Sequence, residues 1–217
     1  MPRPLRQLIE TMRVRNGHVP FLERHLRRLA RSAAALGVAV PEDLEARVLA
    51  ARAGAEGVLR VVLGDAALEV EARPVPEQVS GRLALAREPY VAYPHKTTDR
   101  ERFDRAHREA GDAGAVDAVF LADGGLLAEG AITSVFGWIG EALWTPPLSL
   151  GILPGVGRSR VLDVAQELGV PVLEELLSWD EVKEQPLFLV NAVRGVIEPA
   201  DSPRDQRTAL VAARFWG

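Results

Sequence analysis

The sequence predicts an α+β protein built in two units. Three observations carry that expectation. Apolar residues at 22, 26, 29, 33 and 36 recur at helical spacing. Runs such as Gly57-Val58-Leu59-Arg60-Val61-Val62-Leu63 are short and rich in β-branched residues, as strands are. A stretch at 89–94, bounded by Pro89 and Pro94, reads as a linker. The expected division is a small N-terminal α+β domain at 1–88, the linker at 89–94 and a larger C-terminal domain at 95–217.

Residues 5–14 read as a strand, followed by Arg15-Asn16-Gly17-His18, a hairpin signal because Asn-Gly suits positive φ. The helix opening at Phe21 stops at Gly37, a good residue just past a helix end. Pro41-Glu42-Asp43 opens a second helix to about residue 53. Strands follow at 57–63 and 68–72, then a loop at 73–80 and one further strand at 83–87. The second unit starts with a helix near 99–111. Strands at 116–122 and 126–129 flank Asp123-Gly124-Gly125 as a hairpin, and 132–139 with 142–144 extend a mainly antiparallel sheet. A helix at 158–168, a strand at 170–173, a helix around 178–184, a buried strand at 187–190 and a helical tail from Asp205 complete the chain.

Composition narrows the function. The 217 residues can bury a large core, and 47% of them are hydrophobic. The net charge of −4 speaks against general nucleic-acid binding. Without cysteine there is no disulfide, iron–sulfur cluster or thiol catalysis. His18, His25, His95 and His107 show no metal-ligand spacing. No apolar run approaches a bilayer span, and no apolar segment follows Met1-Pro2-Arg3-Pro4 as in a secretory signal, so a cytoplasmic protein is expected.

Two lysines stand against twenty-four arginines. Arginine serves wherever a fixed positive charge is enough, but it cannot supply a neutral, nucleophilic amine. Lys183 sits in a charged stretch that reads as a solvated helix face; Lys96, between an apolar run and a predicted helix, is the better Schiff-base candidate. Glu129-Gly130 ends a strand directly after a hairpin. Leu153-Pro154-Gly155-Val156-Gly157-Arg158 puts glycine-rich backbone at a helix start, which suits a phosphate. Arg28 lies nearest the apolar stripe of its helix and can turn inward, whereas Arg24, Arg27 and Arg31 read as a solvated face. Asn191-Ala192-Val193-Arg194-Gly195 follows a buried strand, where loops often meet ligands.

In order and spacing, these residues resemble the fold-type IV pyridoxal phosphate (PLP) enzymes, the class IV aminotransferases. The motifs are Glu10-Thr11-Met12-Arg13-Val14, His25-Leu26-Arg27-Arg28-Leu29-Ala30-Arg31-Ser32-Ala33, Lys96-Thr97-Thr98-Asp99-Arg100, Glu129-Gly130-Ala131-Ile132, Thr145-Pro146-Pro147 and Gly151-Ile152-Leu153-Pro154-Gly155. The resemblance implies a two-domain fold like that of D-amino-acid aminotransferase. It implies that Lys96 links to the cofactor and shuttles protons. Glu129 then contacts the pyridine nitrogen, which keeps the ring an electron sink. Arg28 and the backbone of Val156 and Gly157 hold the phosphate, with Ala192 near it.

Within the family, His95-Lys96-Thr97-Thr98-Asp99-Arg100 and the stretch 191–195 look most like aminodeoxychorismate lyase, especially the module fused to aminodeoxychorismate synthase, which also begins near the Glu10 strand. That resemblance implies a dicarboxylate substrate, a place in folate biosynthesis, a functional link to the synthase and a homodimer. Arg13, Arg100 and Arg194 are candidate carboxylate partners, with structural ion pairs as the alternative for each. Three positions depart from the pattern. Gly157 replaces a hydroxyl residue, Ser134 (after Thr133) stands where Asn is usual, and Glu101 replaces the tyrosine that branched-chain aminotransferases place after the lysine. The alternatives are an aminotransferase for branched-chain or D-amino acids, and a binding module that uses the arginine-rich helix.

Overall fold

The computed structural model of the chain describes residues 7–64, 67–77 and 80–217. Residues 5 and 6 of the expected first strand, and 78 and 79 of the expected loop, lie outside these. The chain forms two compact units. The first runs through Glu77 and takes in His95–Arg100; the second holds the intervening stretch up to Pro94 and all of Glu101–Gly217. The division expected from sequence differs on both counts: 89–94 is part of the second unit, and the lysine segment belongs to the first.

In the first unit, β1 (Leu8–Val14), β2 (Gly57–Leu63) and β3 (Leu68–Arg73) form an antiparallel sheet in that order. Leu8 pairs with Leu63 and Val14 with Gly57. Strand alternation puts Leu8, Glu10, Met12 and Val14 on one face. The apolar three join Leu29 and Ala33 of α1 (Leu22–Leu36) in one core, with Leu44 and Val48 of α2 (Leu44–Ala50). Gly37 ends α1 at φ 72, as its position predicts. α2 is shorter than expected, and Gly54 at φ 76 turns the chain toward β2. Asn16 and Gly17 adopt positive φ and close a turn from Arg15 to His18, but the strand beside β1 is β2. The other edge of β1 is covered by the lysine segment. Ile9 N donates to Lys96 O at 2.9 Å, Thr98 N to Gln7 O at 2.9 Å, and Leu8 bridges Thr97.

The second unit has two sheets. In one, β4 (Arg82–Leu85), β5 (Ala115–Ala122) and β6 (Leu126–Gly130) lie side by side, with β4 and β5 parallel. The other has the order β11-β10-β7-β8-β9, made of β7 (Ser134–Ile139), β8 (Ala142–Thr145), β9 (Val172–Glu174), β10 (Leu187–Asn191) and β11 (Gly195–Ile197). β8 and β9 are parallel because α4 (Val156–Glu167) lies between them in sequence, and this departs from the mainly antiparallel expectation. α3 (Glu101–Asp112) covers β5, with Phe103, Tyr93 and Phe120 in one aromatic cluster. α5 (Trp179–Val182) and α6 (Gln206–Phe215) complete the unit. Among the described residues no helix is long and apolar enough to cross a membrane.

Candidate active site

The first unit gathers four polar groups around β1. Glu10 is 1% exposed and faces α1, one turn of which presents His25 and Arg28. Arg28 Nε donates to Glu10 Oε1 at 2.7 Å and Nη2 to Oε2 at 2.6 Å, a two-pronged pair. His25 Nδ1 lies 2.7 Å from Glu10 Oε2. Burial alone would raise the Glu10 carboxyl, but Arg28 and His25 outweigh it and hold it near 2. An ionised carboxylate only accepts hydrogen bonds, so Nδ1 carries the His25 proton. Burial pushes the His25 imidazole down, more than Glu10 lifts it, and the charges of Arg28 and Lys96 add to the fall. His25 is therefore neutral at neutral pH, and its buried Nε2 has no hydrogen-bond partner.

The segment His95–Arg100 is anchored on two sides. His95 Nδ1 lies 3.1 Å from Ser32 Oγ on α1, and the Lys96 carbonyl accepts from β1. Lys96 is half-buried beside the Glu10–His25–Arg28 cluster. Arg100, four residues on, is 8% exposed. Lys183 is different: it is an exposed partner of Asp180 at 2.7 Å, and that bond raises its pKa and keeps it an ammonium. Arg27 and Arg31 are exposed, as a solvated face requires, whereas Arg24 is half-buried and departs from that expectation.

In the second unit, Glu129 is 5% exposed near the end of β6. Its Oε1 accepts from the Tyr90 hydroxyl at 2.8 Å, and Leu153 N donates to both carboxylate oxygens at 3.2 and 3.3 Å. Asp117, fully buried on β5, shapes the turn that follows. It accepts from Ala118 N, Ile132 N and Thr133 Oγ1, with His107 Nδ1 at 3.0 Å. α4 starts two residues earlier than expected, so Val156 and Gly157 form its first turn, and no side chain caps that end. Its first N–H groups have no intrahelical partner. A Cβ on Gly157 would lie 3.0 Å from Asn191 Cα, and one on Gly155 2.7 Å from Ser134 Oγ. Glycine is what lets this backbone approach the 191–192 backbone. That loop is itself fixed: Asn191 Oδ1 accepts from Val193 N and Arg194 N, and Gly195 turns at φ 76.

The sequence-predicted residues thus fall into two groups. Lys96, Arg28 and Arg100 stand in the first unit; Glu129, Val156, Gly157, Ala192 and Arg194 stand in the second. Arg13 is paired with Glu56, and Arg194 is half-exposed at the loop tip. Glu10, His25, Tyr90 and Asp117 were not anticipated. Signals for three existed: Glu10 interrupts the apolar alternation of β1, His25 is one turn from Arg28, and both of the chain's tyrosines fall at 90 and 93, just before Lys96.

The first unit thus offers a half-buried primary amine, and the second a buried carboxylate and an uncapped, glycine-lined helix start; these are the kinds of group that suit an aldehyde, a ring nitrogen and a phosphate. The class IV amino-transferase family pattern matches residues 7–198, and the chain belongs to that PLP-dependent family, with its fold-type IV architecture. It is 36% identical over 98 residues to an aminodeoxychorismate lyase of Bacillus subtilis, covering 42% of this chain and 32% of that protein. The curated relatives are matched over only 30–37% of their length. Among solved structures, a branched-chain aminotransferase from Thermoproteus uzoniensis superposes with a TM-score of 0.86 at 25% identity, covering 97% of this chain and 84% of that one. A provisionally named amino-acid aminotransferase from Mesorhizobium loti gives 0.79 at 33% identity, covering 89% and 98%.

Proposed function

We propose that this chain is a PLP-dependent lyase converting 4-amino-4-deoxychorismate to 4-aminobenzoate and pyruvate. The observation that carries this reading is the segment His95–Arg100. It sets the reacting amine of Lys96 four residues from the buried guanidinium of Arg100, on a strip pinned to β1 and α1. A rigid dicarboxylate needs a fixed cation, and Arg100 is the candidate for it. The similarity to the Bacillus subtilis lyase supports the same reading.

Bound PLP supplies an electron sink for the charge left when a proton departs. Glu129 would face its ring nitrogen. For its phosphate, Arg28, steered by Glu10, is the candidate cation in the first unit, and the first-turn N–H groups of α4, with Ala192, are the candidate partners in the second. Lys96 would hold its aldehyde through the side-chain amine. As the base, Lys96 would take the proton from the substrate carbon that bears the amine. The bond from ring carbon to enolpyruvyl oxygen then breaks, enolpyruvate leaves and becomes pyruvate, and the ring gains aromaticity. Because aromatisation makes the elimination downhill, the residues chiefly have to position one proton transfer. Arg100 is the candidate partner for a substrate carboxylate in the first unit, where Arg13 already pairs with Glu56, and Arg194 is the candidate in the second. The reading also places the enzyme in folate biosynthesis, working beside the synthase that makes its substrate, in the cytoplasm and as a homodimer.

The second reading is a transaminase, favoured by the superposition on the branched-chain aminotransferase. Incubation with enzymatically made aminodeoxychorismate, followed for 4-aminobenzoate and pyruvate, separates the two. Transamination of leucine, D-alanine or glutamate with a keto acid, without 4-aminobenzoate, would replace the first reading by the second.

A further inference from the structure

Tyr90 lies in the stretch expected to be a linker, yet it is built into the second unit. Its N–H donates to Leu121 O at 2.8 Å, and its ring meets Phe120 edge-on at 6.5 Å. Its hydroxyl is 2.8 Å from Glu129 Oε1 and 2.9 Å from Gly151 O, and accepts from Tyr93 N at 3.2 Å. Tyr93 N also donates to Gly151 O at 2.8 Å, so the segment is fastened to the strip that leads to Leu153.

A phenol has one proton, and here two acceptors face it. An ionised carboxylate outcompetes a carbonyl. When Glu129 is ionised, the proton points to Oε1. When Glu129 is protonated, the carboxyl donates to the phenol oxygen and the phenol proton turns to Gly151 O. The charged form gains a charge-assisted hydrogen bond, added to the Leu153 N–H, and donors to the charged form lower a carboxyl's affinity for its proton.

We propose that Tyr90 is a positioning residue that keeps Glu129 ionised opposite the ring nitrogen of bound PLP, so that the shared proton rests on the nitrogen. The inference rests on the reading that Glu129 faces that nitrogen. Burial, then the neighbouring Glu129 charge, raise the Tyr90 phenol, so it remains a neutral donor throughout the physiological range.

The test loads wild type and Tyr90→Phe with PLP labelled with 15N in the ring and follows the nitrogen chemical shift against pH. In Tyr90→Phe, Glu129 becomes more basic and draws the shared proton toward itself, so at neutral pH the ratio of protonated to unprotonated ring nitrogen should fall about ten- to a hundredfold. A second arm avoids any packing change. The chain has only two tyrosines, so growth on 3-fluorotyrosine alters Tyr90 and Tyr93 alone. The more acidic phenol is a stronger donor and should move that ratio the opposite way. Holoprotein whose ring-nitrogen chemical shift matches wild type in both arms would overturn the inference alone. Protein that takes up no PLP would overturn it together with the reading on which it rests.

Discussion

Glu10 grips Arg28 with both carboxylate oxygens, at 2.7 Å and 2.6 Å, and the two side chains are 1% and 7% exposed. The pair is buried and its charges cancel, so its effect on stability and its effect on ligand binding can be separated. Glu10→Ala leaves the Arg28 charge without its partner and should cost about 3–5 kcal/mol in urea unfolding. Replacing both, as Glu10→Leu with Arg28→Met, should recover most of that stability. The double variant should still bind PLP weakly in equilibrium dialysis, because the cation proposed for the phosphate is gone. Undiminished affinity would remove Arg28 from the phosphate site.

Lys96 and Lys183 make a matched pair for chemistry on amines. Borohydride reduction of the PLP-loaded protein should add the cofactor's mass to the peptide holding Lys96 and leave the Lys183 peptide unchanged. Lys96→Arg keeps a positive charge but should lose activity by about 10²–10⁴-fold or more, as Lys96→Ala should, since the missing function is a base. Lys183→Arg should behave as wild type.

His25 gives the stability of the chain a pH slope of known sign. Its folded pKa lies below the unfolded 6.5, so the unfolded state takes up a proton first. Stability is therefore fully present above about pH 6.5 and falls as the solution is acidified, at no more than about 1.4 kcal/mol per pH unit for this one group. Glu10 adds a loss in the same direction as pH falls from 4.5 toward 2. Denaturant unfolding between pH 5 and 7 should show the slope, and His25→Gln should flatten it.

Gly157 tests the backbone approach beside α4. The Cβ of Gly157→Ala would meet Asn191 C and Cα at 3.0 Å and Ala192 N at 3.2 Å, all backbone atoms with little freedom to yield. The expected cost is about 1–3 kcal/mol, with a clear loss of PLP affinity. Gly111→Ala on α3 has nothing within 4 Å of the new methyl and should be neutral or slightly stabilising, by up to about 1 kcal/mol.

Local signals made much of this fold legible. Gly37 ends α1 where predicted, Asp123-Gly124-Gly125 joins β5 to β6, and the spacing at 22, 26, 29 and 33 marks the face that joins the core. What escaped was non-local. The parallel pairing of β4 with β5 depends on α3 folding between them, and no turn residue announces it. The stretch 89–94 reads as a linker because of its prolines, while its role comes from Tyr90 and Tyr93 reaching Glu129 and Gly151. The candidate site divides the same way. Lys96, Glu129 and the glycines can be read from residue type and order. The Glu10 clamp on Arg28 requires a strand to face a helix, which spacing alone does not reveal.

The chain passes from one unit to the other at 77–78, 94–95 and 100–101. The first unit is therefore not one continuous stretch, and Gln7 finds its partner Thr98 91 residues away. During synthesis, the edge of β1 stays uncovered until the lysine segment has left the ribosome. A fragment ending at Glu77 would lack both that cover and Lys96, so it would not carry a finished first unit. Lys96 arrives with the last piece of that unit, so the strip that closes the edge of β1 is the same strip that carries the lysine.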